Sequence, residues 1–230
     1  VKEKRSFCAS CGKSLTTEDD TINILARTGK LEIIKKYMPA QLFERIMGGD
    51  SKIIGERRDV TIIFADIGGF TTYSENHEPE EVTKMLNDCF QGLVEAVERY
   101  EGMVNKFIGD CIMAVFGAPI SHEDDPERAV RCGMDMLKFI RKYNMVIDSP
   151  LALSIGINSG PAVAGNIGSA SQMEYTVIGD TVNLAQRLQS ASEKGEVLVG
   201  QGVYERAKNA IEFTELAPIK VKGKKNPVAC

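Results

Sequence analysis

Long apolar runs are missing from this sequence, and none approaches the ~20 residues that a membrane-spanning helix needs. The start of the chain also lacks the charged-then-apolar pattern of a secretory signal. From these two absences we expect no membrane segment in this chain and a cytoplasmic location. The sequence stops at Val228-Ala229-Cys230, where a strand is expected to continue, so we expect it to be a piece of a larger multidomain protein. The formal net charge is −4, with one short basic tract near the C-terminus. This balance argues against nucleic acid as the main partner.

The six cysteines lack the spacing of a complete metal site. Cys8 and Cys11 form a C-x-x-C pair, which is half of a zinc ribbon. Zinc takes four ligands, and no second C-x-x-C follows, so we expect no zinc here unless a second chain, or residues outside this sequence, supply the missing ligands. Cys89, Cys111 and Cys132 lie in apolar segments and are expected to be buried free thiols of a reducing compartment.

Apolar residues make up 43% of the sequence, which is enough for one sizeable core. Residues 1–30 are polar and aperiodic, and are predicted to be an N-terminal tail that carries the half ribbon. Residues 31–54 are predicted to be a helical linker, because helically spaced apolar residues run into a connector rich in glycine and charge. That connector, 48–58, contains the predicted boundary of the main domain, 55–230.

Apolar spacing within the main domain predicts a series of strands and helices. The predicted strands are 60–64, 102–108, 111–116, 151–158 and 173–178. The predicted helices are 78–100, 123–143 and 181–192, with a short one at 203–209. The first six elements run strand, helix, two hairpin strands, helix, strand. This order predicts the α+β fold class, as a ferredoxin-like βαββαβ core with a C-terminal extension.

Several breaks in this pattern are also predicted. Ser159-Gly160-Pro161 is expected to end the strand at 151–158, and residues 164–169 are expected to form a second glycine-rich loop. Asp180 or Thr181 is the predicted N-cap of the helix that follows. A lysine cluster at 220–225 fits either an exposed strand edge or a phosphate clamp.

The stretch from Asp59 to Ser74 carries the first candidate site. The β-branched and aromatic run Val60–Phe64 predicts a buried strand, which ends near Asp66 and is followed by Gly68 and Gly69. This arrangement puts a carboxylate beside bare backbone N–H groups, which together with a bound cation can hold a polyphosphate. For this stretch alone, an ordinary turn with a solvated aspartate is an equal alternative.

A second carboxylate lies in the predicted tight hairpin turn Gly109-Asp110. In the ferredoxin-like arrangement the first strand and the hairpin are neighbours, so Asp66 and Asp110 can lie close together. Bare carboxylates at this distance would repel each other and one would be protonated. A divalent metal explains the pair better than packing does. On a later helix Asn183 and Arg187 share a face, either as part of a site or as a solvated surface.

Five motifs, taken together in their order and spacing, are more specific than any of these separate signals. FADIGGFT, NKFIGDCIMAVFG, GINSGPAVAGNIGS, YTVIGDTVNLAQRL and IKVKGK closely resemble the catalytic domain of class III nucleotidyl cyclases, over about residues 55–228. The resemblance implies the class III cyclase fold and two Mg²⁺ or Mn²⁺ ions per site. It assigns these ions to Asp66, Asp110 and the backbone of Ile67. It assigns the triphosphate to the loop of Gly68, Gly69, Phe70 and Thr71.

The resemblance also implies the substrate. The adenine-selecting pair of the family falls on Lys106 and Thr176, where guanylyl cyclases carry Glu and Cys, so the implied substrate is ATP. At the second position this chain has threonine, as in a bicarbonate-responsive subgroup of the family. This resemblance implies bicarbonate as a regulator. Asn183 matches the residue that orients the ribose, and Arg187 the residue that stabilises the transition state.

Two further positions bear on the triphosphate. Lys222 matches a triphosphate-binding lysine of the family. Pro161 stands where some members have an arginine, so a triphosphate contact from that position is not expected here.

The implied function is a homodimeric adenylyl cyclase, a lyase that converts ATP to 3′,5′-cyclic AMP and pyrophosphate for signal transduction. In the family the site lies between two chains, so identical chains give a twofold dimer with two sites. One alternative is a catalytically silent cyclase-like domain that binds nucleotide and regulates through its dimer. Another is a diguanylate cyclase, but that class carries GGDEF or GGEEF in its hairpin, whereas this hairpin reads FIGDC.

Overall fold

The structure is a computed structural model that describes residues 55–169 and 172–219, together with Phe43 and Met47. The predictions for Cys8 and Cys11 and for the lysine cluster with Lys222 lie outside these residues. Most of the predicted tail and linker also lies outside them. The division of the chain into tail, linker and domain therefore stays a prediction.

The described part of the chain forms six strands and five helices. In chain order they are β1 (Glu56–Gly68), α1 (Phe70–Asn76), α2 (Pro79–Arg99), β2 (Met103–Ile108), β3 (Cys111–Phe116), α3 (Asp125–Tyr143), β4 (Ala152–Ser169), β5 (Gln172–Ile178), α4 (Asp180–Ala191), β6 (Val197–Val199) and α5 (Gln201–Ala207).

All of the described strands belong to one sheet with the order β2-β3-β1-β4-β5, and β6 adds to β4. Every neighbouring pair is antiparallel except β4 and β6, which are parallel. The order of the first four strands across the sheet, β4-β1-β3-β2, is that of a βαββαβ unit with a ferredoxin-like topology. The α+β fold class predicted from the sequence is therefore confirmed.

The core lies where α2 and α3 cover one face of the central strands. From β1 it receives Ile63, Ala65 and Ile67, all at most 1% exposed. Helix α2 contributes the apolar stripe predicted from its helical spacing, which includes the fully buried Leu93. The other face of β1 is also buried, because α4 packs there, and Ile62 is 0% exposed. Burial on both faces explains why β1 reads as a continuous apolar run.

The predicted strand break at Ser159–Pro161 and the predicted loop at 164–169 are both wrong. Strand β4 runs through both segments, pairing first with β1 and then with β5. Pro161 lies opposite Asp59 of β1, at a point where β4 has a strand neighbour on one side only. A proline can occupy such a position because its missing N–H is not needed by a second neighbour.

Two element boundaries and one short helix also differ from the prediction. Strand β1 begins at Glu56, so the end of the predicted connector is already in the sheet. Helix α1 was not predicted, and it follows Gly69, whose φ of 95° lies in the left-handed region. Helix α4 is capped by Gly179, with no side-chain cap hydrogen bond from Asp180 or Thr181. The Thr181 hydroxyl instead donates to the carbonyl oxygen of Pro161 at 2.7 Å.

The three described cysteines are free thiols, as predicted, but they are not equally buried. Cys89 and Cys132 are fully buried, whereas Cys111 is partly exposed. Burial, followed by the charge of Asp88, raises the pKa of Cys89 to about 12. This thiol is therefore neutral at physiological pH and acts as a small apolar side chain.

Candidate active site

The first group of predicted site residues lies where β1 ends beside the β2–β3 hairpin. Asp66 is paired with Cys111, the first residue of β3. The backbone N–H of Ile67 donates to the backbone carbonyl oxygen of Asp110 at 3.2 Å. Asp110 is thus held in the hairpin turn directly next to the end of β1. The structure brings together the two carboxylates that the sequence placed in different motifs.

Within the described part of the chain, no ion pair joins Asp66 or Asp110 to a cationic side chain. Partial burial raises the pKa of Asp66, and the nearby charge of Asp110 raises it further. Burial, together with the charges of both aspartates, raises the pKa of Cys111 to about 12. Both shifts show that negative charge is unfavourable at this junction. A bound cation would stabilise that charge.

The oxygen donors at this junction fit a hard divalent cation. Carboxylates and backbone carbonyls are the ligands that Mg²⁺ and Mn²⁺ prefer. Among residues 55–169 and 172–219 no group of three or more His, Cys, Asp or Glu side chains could hold a metal ion. If a cation binds at Asp66 and Asp110, water and substrate phosphates could supply its other ligands, as is usual for Mg²⁺ at nucleotide sites.

The predicted triphosphate loop, Gly68–Thr71, lies at the junction of β1 and α1. The first turn of a helix leaves backbone N–H groups without intrahelical acceptors, so they can bind anionic oxygen. A Cβ atom on Gly68 would lie 3.5 Å from the Cε atom of Lys194, so the Lys194 side chain lies over this glycine. Lys194 is exposed and makes no hydrogen bond or ion pair within the described part of the chain.

A second group of predicted residues lies where β2 meets β5. These strands are the two ends of the strand order, yet polar contacts join them, among them one from each predicted residue. The Lys106 Nζ atom lies 2.7 Å from Oε1 of Glu174. The Thr176 hydroxyl donates to Oδ1 of Asn105 at 2.9 Å. The sheet therefore curves enough to bring Lys106 and Thr176 onto one surface patch.

Asn183 and Arg187 lie one turn apart on α4, which follows β5 and packs on β4. Asn183 is exposed and Arg187 is partly exposed. Within residues 55–169 and 172–219 neither side chain makes a hydrogen bond or an ion pair. In that same part of the protomer no such contact joins Arg187 to Asp66 or to Lys106.

The structure adds two neighbours of the predicted residues that the sequence did not single out. Glu174 could have been found, because residues two apart in a strand share a face and Thr176 was already a candidate. Asn105 could not, because it precedes Lys106 and regular strand alternation would put it on the opposite face. Lys194, beside Gly68, gave no local signal at all.

Residues 54–229 match the family model described as the adenylate and guanylate cyclase catalytic domain. The chain is 32% identical to adenylate cyclase 1 of Rhizobium meliloti over 198 residues, which are 82% of this chain and 30% of that relative. Its fold is similar to the crystal structure of the adenylyl cyclase CyaB from P. aeruginosa, with a TM-score of 0.75, 38% identity and coverage of 77% of this chain and 94% of the other.

A guanylyl cyclase structure is similar to the same degree. The guanylyl cyclase Cya2 has a TM-score of 0.73 and 38% identity, with coverage of 76% of this chain and 91% of the other. The fold, the family match and the similar structures together identify this part of the chain as the catalytic domain of a nucleotidyl cyclase, which is an enzyme. The chain belongs to the adenylate and guanylate cyclase catalytic domain family, class III. Because an adenylyl and a guanylyl cyclase are equally similar to it, overall similarity does not select the nucleotide.

Two further findings concern the length of the chain and its helices. The chain spans less than half the length of the curated relatives it matches. Among the described helices, none combines the length and apolar character needed to span a membrane.

Proposed function

We propose that this domain is a homodimeric adenylyl cyclase that converts ATP to 3′,5′-cyclic AMP and pyrophosphate. The observation that carries the proposal is the meeting of β2 and β5, because it unites Lys106 and Thr176 on one patch. An ammonium group donates hydrogen bonds only, which suits the N1 acceptor of adenine and opposes the N1–H donor of guanine. A hydroxyl next to it can accept from the adenine N6 amino group.

The reaction forms one bond and breaks another. The 3′-oxygen of the ribose bonds to the α-phosphorus, and the bond from that phosphorus to the bridging oxygen breaks. Pyrophosphate leaves with the bonding electrons, and the 3′-hydroxyl proton passes to solvent. When Mg²⁺ or Mn²⁺ is bound by Asp66, Asp110 and the backbone of Ile67, it supplies Lewis-acid activation of the hydroxyl and neutralises phosphate charge.

The remaining roles belong to side chains and backbone of this chain. Backbone N–H groups of Gly68–Thr71 bind the triphosphate, and Lys222 is proposed to add a charge-assisted contact. Asn183 orients the ribose. Arg187 stabilises charge that develops on the phosphates, a role worth about 10³-fold or more where arginines perform it in phosphoryl transfer.

A twofold dimer is supported by the surfaces that the protomer leaves open. The β4–β5 ribbon exposes Val163, Ile167 and Ile178 on one face, and their exposed fractions are 46%, 36% and 54%. Phe107 and Ile108, at the end of β2, are about half exposed. Clustered exposed apolar side chains of this size mark a protein interface. In the proposed dimer the aspartates of one copy face Lys106, Thr176, Asn183 and Arg187 of the other.

Complementation tests this proposal. Asp66→Ala and Arg187→Ala should each abolish cyclic AMP formation from ATP and Mn²⁺, because each homodimer lacks one component of both sites. Mixing the two variants should restore activity, since a heterodimer has one site with neither substitution. The matched control mixes Asp66→Ala with Asp110→Ala. Both residues belong to the same half-site, so this mixture should stay inactive.

Two results would contradict the proposal. One is an inactive mixture of Asp66→Ala and Arg187→Ala in which heterodimers have been confirmed by mass. The other is a wild-type protein that binds ATP with Mn²⁺ yet forms no cyclic AMP, which would favour a silent nucleotide-binding domain.

Regulation by bicarbonate is a further part of the proposal and is supported by Thr176 alone. If Thr176 mediates the response, bicarbonate should increase cyclic AMP formation by the wild-type domain, and Thr176→Asp should remove the increase. Initial rates at constant pH and ionic strength measure this. Equal stimulation of both proteins would show that Thr176 does not mediate the response and would remove the only residue that supports this part of the proposal. The cytoplasmic location is likewise proposed.

A further inference from the structure

Asn105 occupies an irregular position in β2. Val104 pairs with Ala114 of β3, and the next paired residue is Lys106, opposite Met113. Asn105 is therefore an extra residue without a partner in the β2–β3 ladder, as in a β-bulge. A bulge interrupts side-chain alternation. This is how two consecutive side chains, Asn105 and Lys106, both contact β5.

The orientation of the Asn105 amide is fixed by two hydrogen bonds. Its Nδ2 atom donates to the backbone carbonyl oxygen of Tyr175 at 3.0 Å. Its Oδ1 atom accepts from the hydroxyl of Thr176 at 2.9 Å. A flipped amide would place Oδ1 against the Tyr175 carbonyl, two acceptors with no hydrogen between them. The amide therefore presents an acceptor, never a donor, to Thr176.

This orientation determines what the Thr176 hydroxyl can offer a ligand. A threonine hydroxyl has one hydrogen and two acceptor lone pairs, and here the hydrogen is committed to Asn105. Thr176 is 7% exposed, so water competes poorly for that hydrogen. Towards a bound base the hydroxyl can only accept. Beside it, the Lys106 ammonium can only donate.

We propose that Asn105 is a positioning residue that makes the site selective for adenine by holding the Thr176 hydroxyl as an acceptor. The inference rests on the proposed function. The Watson–Crick edge of adenine presents an N6 donor beside an N1 acceptor, which is complementary to an acceptor beside a donor. Guanine presents O6 as an acceptor beside an N1–H donor, so both contacts would be mismatched. Buried mismatched polar groups are what give such sites strong discrimination.

The test is a set of substitutions read as the ratio of kcat/KM for ATP to kcat/KM for GTP. Asn105→Ala frees the Thr176 hydroxyl to donate to guanine O6, so the ratio should fall about tenfold, the equivalent of one hydrogen bond. In a Thr176→Val background no hydroxyl remains to be oriented. There, adding Asn105→Ala should change the ratio less than about twofold.

Thr176→Ser is the matched background, because it keeps a hydroxyl that Asn105 can orient. In this background Asn105→Ala should again lower the ratio about tenfold. A merely structural role of Asn105 in joining β2 to β5 would lower the ratio equally in the Thr, Ser and Val backgrounds. That result, or an unchanged ratio in Asn105→Ala, would overturn the inference.

Binding measurements separate this inference from the proposed function. Calorimetric Kd values for non-hydrolysable ATP and GTP analogues, with Mn²⁺, give the selectivity ratio even where no cyclic nucleotide forms. Loss of ATP preference in the Kd values of Asn105→Ala supports the inference regardless of turnover. Absence of turnover in the wild-type protein contradicts the proposed function alone.

Discussion

Two carboxyl groups in this domain, Asp66 and Asp125, have pKa values raised by burial but lie in different surroundings. Asp66 lies at the end of β1 with Asp110 nearby, where a cation would relieve its charge. Asp125 begins α3 and is 6% exposed. Its Oδ2 atom accepts the backbone N–H of His122 at 2.9 Å, and its Oδ1 atom lies 3.4 Å from the His122 ring. Burial raises the pKa of Asp125, and the contacts with His122, followed by the charge of Arg128, only partly oppose this.

The raised pKa of Asp125 predicts a pH-dependent contribution to stability. Below the ordinary value of 3.8 the carboxyl is protonated in both folded and unfolded chains. As the pH rises through the raised folded-state pKa, the folded chain releases its proton later than the unfolded chain, so the free energy of unfolding decreases. Asp125→Asn keeps an acceptor for the His122 N–H and carries no charge. We expect the variant to gain stability relative to wild type over this pH range.

Urea unfolding of both proteins from pH 3.5 to pH 7 measures this effect, and the difference between the two curves removes the titration of groups that do not interact with Asp125. The difference should be smallest at the acid end and should grow towards neutral pH. A difference that shrinks with rising pH would mean that the contact with His122, not burial, dominates the titration of Asp125.

At the scale of elements, one glycine determines how closely α4 lies on the sheet. A Cβ atom on Gly156 of β4 would lie 2.0 Å from the backbone nitrogen of Gln189 and 2.4 Å from the carbonyl oxygen of Ala185. Both are backbone atoms of α4, so no side-chain rotation can make room. Because Asn183 and Arg187 are on the same helix, the depth of α4 on β4 also sets their positions.

We expect Gly156→Ala to displace α4, costing about 1–3 kcal/mol of stability by overpacking and lowering kcat for cyclic AMP formation. The matched control is Gly133→Ala in α3, where the added Cβ would meet Ile157 at 3.4 Å, an ordinary contact. That variant should be neutral or up to about 1 kcal/mol more stable, because alanine favours helices over glycine. Chemical denaturation and initial rates give both numbers. Equal stability of the two variants would contradict the close approach of α4.

At the scale of the whole molecule, the proposed twofold dimer predicts how much activity a mixture of the two inactive variants should recover. Random mixing of equal amounts of Asp66→Ala and Arg187→Ala makes half of the dimers heterodimeric, and each heterodimer has one intact site out of two. Activity should therefore reach about a quarter of the wild-type value after full exchange. The recovered activity should also fall on dilution, because subunit association depends on concentration. An absence of recovery after full subunit exchange would point to a site within one chain.

The sequence by itself determined the elements whose signals are local. Apolar spacing defined α2 and α3, the Gly109-Asp110 turn defined the β2–β3 hairpin, and their order defined the ferredoxin-like core. The candidate ligands Asp66 and Asp110 were also found this way, because each follows a strand signal at a glycine turn. Periodicity and turn chemistry act over a few neighbouring residues, so one sequence is enough to reveal them.

Only the tertiary structure decided the features that depend on distant chain segments. Strand β4 continues through Pro161 because β1, about 100 residues earlier, pairs with it there. Asn105 and Thr176 are 71 residues apart and meet only because a bulge in β2 and the curvature of the sheet bring two edge strands together. Such contacts arise when side chains pack and hydrogen-bond across the folded sheet. No local pattern encodes them, since their partners are chosen by the three-dimensional arrangement of the whole domain.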